Sequence, residues 1–234
     1  MTTKLRAASF QDNAVTTAKI AADAVTAAKI PANTIGSSEI DLTADYAFTG
    51  TITGDNNGMV LLQTVSVTSN VSSVTIGSTS LFTNTYKIYK IFGTRVRGTS
   101  DGAHGHIRYV IGGATKTDSG YEYNRWYSYG GGGAVSTGSA NNGSYFERFW
   151  GQSNGVTGSK ETSNFIVTVY DPASNDNYKH INCWCSNDDL STNSATHQSS
   201  GRYENGSGEP LEGIVFYSSA GNFQQGNFSL YGIK

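Results

Sequence analysis

Five aromatic side chains fall within nine residues, Tyr121, Tyr123, Trp126, Tyr127 and Tyr129. A glycine run, Gly130 to Gly133, and the pair Asn141 and Asn142 follow them. This is chemistry suited to carbohydrate, because sugars offer CH faces to aromatic rings and hydroxyls to amides and hydroxyls. Rings with a polar edge are favoured wherever a wet surface is recognised. On a strand the four tyrosines share one parity and one face, with Trp126 on the other. That face is a ligand surface or, alternatively, an inner sheet layer or subunit contact. All seven residues are taken as receptor-binding candidates.

Other groupings point less sharply. His104 and His106 form an HGH pair whose rings would share a strand face, the nearest candidates for a transition metal. Cys183, Cys185 and His180 are a rival set. The two cysteines flank Trp184, project from one side of a strand and are badly placed to bridge each other. Asn175, Asp176 and Asn177, with Asn187, Asp188 and Asp189, supply oxygen ligands of the kind Ca²⁺ prefers, but they are also ordinary turn chemistry. No metal and no cofactor is expected. Carboxylate pairs such as Glu147 with Asp188, or Glu122 with Glu161, would be needed for glycoside cleavage. A loop-rich chain supplies such pairs by chance. GxSxG, HExxH and a phosphate-cradling loop are all missing, and the glycine run is not followed by the Lys-Ser/Thr of a P-loop. The expectation is a binding protein and not an enzyme.

The elements that must hold these residues are strands. Gly, Ser, Thr and Asn number 28, 28, 26 and 19 of 234 residues, so small polar types exceed two fifths of the chain. With 12% aromatic and only 15% charged residues, the chain has apolar surface to bury and is not disordered. From Met59 onward, stretches rich in Val, Ile, Tyr and Phe alternate with Gly, Ser and Asn clusters. Strands are predicted at MVLLQTVSV from Met59, YKIYKIFGTRVRG from Tyr86, GHIRYVIGG from Gly105, GYEYNRWYSYG from Gly120 and SYFERFWG from Ser144. Four more follow: NFIVTVYD from Asn164, NYKHINCWCS from Asn177, GIVFYSS from Gly213 and the closing NFSLYGIK. No helical crossover separates them, so a parallel sheet is excluded and an antiparallel β-sandwich, most simply a jelly roll, is expected.

Ahead of this head lies a repeat. AVTTAKIAAD from Ala14, AVTAAKIPAN from Ala24 and the degenerate TIGSSEIDLT from Thr34 place Val15, Val25 and Ile35 ten residues apart, with Ile20, Ile30 and Ile40 midway. A spacing of five fits neither period. A helix would turn ~140° between successive apolar residues, and a strand would send them to opposite faces. Each decad must therefore be a compound unit too poor in apolar mass to fold alone. Copies of the same segment around a symmetry axis would bury the six Val and Ile side chains. The alternative is a flexible linker, which has no reason to keep both positions. Near Phe48 to Gly58 the wording changes to the turn-rich TGTITGDNNG, and the boundary is set there.

Charge and leaders exclude further classes. Residues 1–57 carry 4 basic and 6 acidic groups and the remainder 12 of each, which leaves no basic footprint for nucleic acid. The opening MTTKLRAASF has no apolar run of signal-peptide length, and no segment approaches the ~18 apolar residues of a membrane span.

The decads AVTTAKI and AVTAAKI, the junction ADYAFTGTITG and the closing SSAGNFQQGNFSLYGIK (218–234) together resemble the fibre proteins of tailed bacteriophages. About 150 residues between them match no motif of that family. The resemblance implies a homotrimer in the virion, made in the cytoplasm of the bacterial host. Residues 1–12 would attach to the tail or another virion protein, 13–57 would form the trimeric stem and junction, and 58–234 the β-sandwich head facing a host-surface glycan or protein. Two alternatives stand beside it: a head or tail decoration fibre that binds no receptor, and a carbohydrate-binding module tethered through the repeat.

Overall fold

The computed structural model describes residues 58–130, 135–153, 162–188, 194–206 and 208–234. The stem residues Val15, Ile20, Val25, Ile30, Ile35 and Ile40 lie outside the described residues, as do Asp189 and Glu161. The described part is mainly β. Its strands are β1 (Met59–Val67), β2 (Ser73–Ile76), β3 (Ile88–Gly98), β4 (Ala103–Ile111), β5 (Ala114–Thr115), β6 (Tyr121–Tyr129) and β7 (Ser136–Gly143). After them come β8 (Phe146–Ser153), β9 (Ser163–Tyr170), β10 (Lys179–Asp188), β11 (Ser194–Tyr203), β12 (Gly213–Ser218) and β13 (Phe223–Ile233). One 3-10 turn at Glu204–Gly206 follows β11.

The strands form two antiparallel sheets. The larger has eight strands in the order β1-β13-β3-β9-β10-β11-β6-β7, and the smaller runs β2-β12-β4-β5 with β8 also pairing β4. Period-two alternation explains how each sheet acquires an inner face. In β9, Ser163, Phe165, Val167 and Val169 are buried while Asn164, Ile166, Thr168 and Tyr170 face out or are half-buried. The inner residues of both sheets meet in one core. Phe165 of β9 stacks on Phe216 of β12 with centroids 5.7 Å apart, and Phe216 lies 5.4 Å from Phe228 of β13. Burying one such ring contributes about 1.5–3 kcal/mol.

All nine expected strands are present, some shifted at their ends. Four more had not been expected: β2, β5, β7 and β11. The strands β7 (STGSANNG) and β11 (SATHQSSGRY) are made of small polar residues and read as loops. What makes them strands is their neighbours. β11 is paired on both sides, by β10 along ten residues and by β6 along nine.

Two strand pairs extend the large sheet beyond β9. The β10–β11 pair follows β9, and the β6–β7 pair precedes β8; the two meet at the β11–β6 junction. The aromatic run of β6 is therefore set beside residues more than 50 positions away in sequence. At that junction the ring of Phe146 lies against the backbone of Gly201, where any Cβ would come within 2.7 Å of it. Only glycine allows this approach.

Candidate ligand-binding groove

The outward face of β10, β11, β6 and β7 carries a row of short polar side chains in register. Asn182 stands opposite Ser200, Ser200 opposite Asn124 and Asn124 opposite Ser139. The adjacent line runs from Trp184 to Gln198, Trp126 and Thr137. Direct cross-strand neighbours stand about 5 Å apart, so a ligand crossing the strands meets one side chain per strand. Two adjoining depressions of about 390 and 490 Å³ occupy this surface. Asn124, Ser139 and Ser200 line both, Trp126, Thr137 and Gln198 line the first, and Glu122, Asn141, Asn182 and Arg202 line the second.

A bulge shapes the outer rim. Tyr121 pairs Gly143 while Tyr123 pairs Ala140, so β7 has one extra residue there. Asn142 absorbs the distortion in a left-handed conformation, φ 62°, which asparagine tolerates better than most side chains. Asn141, exposed beside it, is brought over the second depression.

The charges in the groove are matched within the protein. Arg202 bonds Glu122 through Nε at 2.8 Å and Glu204 through Nη2 at 2.5 Å, and its guanidinium sits 4.9 Å from the centroid of Tyr178. The bond to Glu122 raises the Arg202 pKa further. One cation held by two carboxylates leaves the local balance negative and removes Arg202 as a receptor for an anion. Trp126, half-buried, meets Trp184 edge-on at 6.2 Å, and Trp184 is 54% exposed. Rings and uncharged hydrogen-bonding groups are what this surface offers a ligand.

The tyrosines sit on the other side. Tyr121 is 0% exposed, accepts the Tyr109 N–H at 3.0 Å and donates its hydroxyl to Lys116 O at 3.0 Å. Tyr123 is buried and donates to Glu147 Oε2 at 2.9 Å. Tyr127 is half-buried and stacks on buried His197 at 5.3 Å. The placement of Tyr121 and Tyr123 among receptor-binding residues is corrected by this burial: β6 turns its aromatic parity toward the second sheet. The side chain of Tyr129 lies outside the described residues. Of the seven candidates, Trp126 and Asn141 line the depressions, Tyr123 borders the second while its side chain is buried, and exposed Asn142 lies beside Asn141. Asn124, Ser139, Asn182, Gln198, Ser200 and Arg202 had not been singled out. The usable signal was the other parity of β6, where Glu122, Asn124, Trp126 and Ser128 alternate with the rings.

Beneath the groove, between the sheets, lies a polar layer. Glu147 accepts from Tyr123 and lies 3.4 Å from Arg125 Nη1 and 3.5 Å from Arg148 Nε. Partial burial opposes ionisation of Glu147, yet the Tyr123 hydroxyl and the two guanidiniums hold its pKa below the usual range. His104, His106 and His197 are each lowered to about 4, chiefly because burial penalises the cation. His106 stacks on Tyr145 at 4.2 Å. Among the described residues no three His, Cys, Asp or Glu side chains gather as a metal site. The rival set is split by strand alternation: Cys183 and Cys185 point into the core and His180 points out. The cysteines share a face and form no disulfide. Asn187 is buried, Asp188 accepts the Thr162 N–H at 3.3 Å, and Asp176 and Asn177 bond Ser174. Glu122 and Glu147 are both engaged by arginine. No family model, curated protein or solved structure matches the chain.

Proposed function

We propose that the chain is a trimeric fibre protein of a tailed-phage virion, fixed through its N-terminal segment and stem, whose head recognises an uncharged glycan on the host surface without cleaving it. The observation that carries the recognition half is the outward groove. Asn124, Ser139, Asn141, Asn182, Gln198 and Ser200 offer hydrogen bonds in register, with Trp126 beside them, and the charged groups are already paired to each other. The stem and virion half rests on the decads and the closing wording of the sequence.

Strand order supports a jelly-roll sandwich for the head. With β5, β6, β7, β10 and β11 set aside, the remaining eight strands in chain order pair first-eighth-third-sixth in one sheet and second-seventh-fourth-fifth in the other. Two Greek keys folded on each other produce this order. The groove then lies on two insertions added to a jelly roll, where sequence can vary at least cost to the framework.

The test is a glycan array probed with full-length protein, with Trp126→Ala alongside. Binding to neutral glycans that falls at least tenfold in the variant supports the proposal. Binding confined to anionic glycans, or neutral binding that Trp126→Ala leaves intact, would sink the groove as the receptor site.

A further inference from the structure

Among the described residues, six of the eight exposed large apolar side chains are gathered on one surface; Val135 and Tyr178 lie outside its strands. Met59 and Leu61 of β1, Ile88 of β3, Ile166 and Tyr170 of β9 and Trp184 of β10 are each between 36% and 55% exposed. All six belong to the outward face of the eight-stranded sheet. Half-buried Phe92 and Tyr231 meet edge-on at 5.4 Å and fill the space between them. Leu61 stands opposite Tyr231, Phe92 opposite Ile166, and Ile166 opposite Trp184, so the patch crosses β1, β13, β3, β9 and β10 without a break. A depression of about 390 Å³ lined by Phe92, Ile166 and Trp184 lies within it. Single exposed apolar residues are ordinary, but a continuous patch over five strands marks a surface made to be covered.

We infer that this face is the self-association surface of the head, and that its occupant is a second copy of this chain; the inference rests on the trimeric reading above. Position argues for it first. Fifty-seven residues precede Gly58, and Met59, the next residue, lies in the patch. Chains held together by their decads are therefore tethered at the edge of this face, which raises the local concentration of identical faces to the millimolar scale. Charge argues for it next. Lys90 is the charged residue within the patch, and at its border Lys87 is paired with Asp171 at 2.9 Å. Around a three-fold axis each copy of the face meets two neighbours, and a nearly neutral apolar surface does so without like-charge repulsion. The polar groove farther along the sheet wants a different partner, so the same sheet face is divided between self and ligand.

The test uses full-length Leu61→Cys and Ile166→Cys, each labelled with benzophenone maleimide and irradiated, beside light scattering of the unlabelled chains. Both positions are exposed, and the native thiols Cys183 and Cys185 are buried, at 1% and 3% exposure, so label goes to the introduced thiol. Thr115→Cys in β5, exposed on the other sheet, is the control. A mass of about 75 kDa, three chains of 24.9 kDa, is expected, with chain-to-chain adducts from both patch positions and none from Thr115→Cys. A multimeric mass with only single-chain products, as when residues 1–57 fold back over the patch, overturns the surface and spares the trimer. Adducts from Thr115→Cys as abundant as those from the patch would also overturn it. A mass of one chain overturns the surface and the trimer together.

Discussion

The strands β1, β2, β3, β4, β8, β9, β12 and β13 and the strands β6, β7, β10 and β11 differ in what lies beneath them. Between the first set the core is hydrocarbon: Ile107, Phe165, Val167, Val169, Phe216, Phe228 and Leu230 are each at most 3% exposed. Behind β6 and β11 the inward layer includes Tyr123, Tyr127, His197 and Ser199, and it faces Glu147 and Arg148 of β8. Burial of apolar area is non-directional and tolerates drift, whereas a polar layer stabilises only while its partners keep their geometry. The apolar core continues under β6, β10 and β11 at Tyr121, Ile181, Cys183, Cys185 and Tyr203, so the difference lies in the specific bonds that β6 and β11 add to it, and the groove they carry inherits that precision.

Breaking the hydrocarbon side has the largest effect. Phe216→Ala removes a fully buried ring that touches Phe165 and Phe228, and it should cost about 3–5 kcal/mol in urea unfolding. If instead the loss were under about 1 kcal/mol, the two sheets would not share the core described.

Acid should break the other side. His104, His106 and His197 titrate near 4 in the fold and near 6.5 when unfolded, so the unfolded chain binds more protons between those values. Their effect on stability is nil above about pH 6.5, and stability falls as pH drops from there to about 4. Glu147 acts in the same direction: its folded pKa is depressed, so its contribution is present above the unfolded value and lost as pH falls through the folded one. Urea midpoints measured from pH 7.5 to 4 should therefore decline. His197→Phe should flatten the decline, and an unchanged slope in that variant would show that His197 is not excluded from solvent. Smaller in size is Tyr123→Phe, which removes the hydroxyl that Glu147 accepts and should cost about 1 kcal/mol. That cost is present wherever Glu147 is charged and shrinks as acid protonates it.

How much of this was legible depended on whether a strand carries its own signal. Strands such as β9 and β12 announce themselves by β-branched and aromatic residues, and the boundary of β1 at Met59 coincides with the reading. The inward burial of Tyr121 was one of two open assignments, because periodicity separates two faces without saying which is inside. The chain also could not announce β7 and β11, since serine and glycine acquire strand geometry from their pairing partners, β6 for β7 and both β10 and β6 for β11. The groove was lost with them: Ser139, Gln198 and Ser200 belong to those two strands, and Asn124 meets them through the β11–β6 and β6–β7 pairings.

The smallest effect on stability should come from the groove side chains, and this sharpens the comparison most. Asn124 is exposed, belongs to the outward parity of β6 and lines both depressions. Asn124→Ala should change unfolding free energy by no more than about 0.5 kcal/mol. It should nonetheless weaken glycan binding, since it removes the one amide that reaches both depressions; a buried hydrogen bond to an uncharged ligand is worth about 0.5–1.5 kcal/mol, or roughly a two- to tenfold loss of affinity. Isothermal titration beside urea unfolding separates the two readouts. Loss of stability with affinity unchanged would mean that Asn124 serves the sheet, and that the added strands are framework after all.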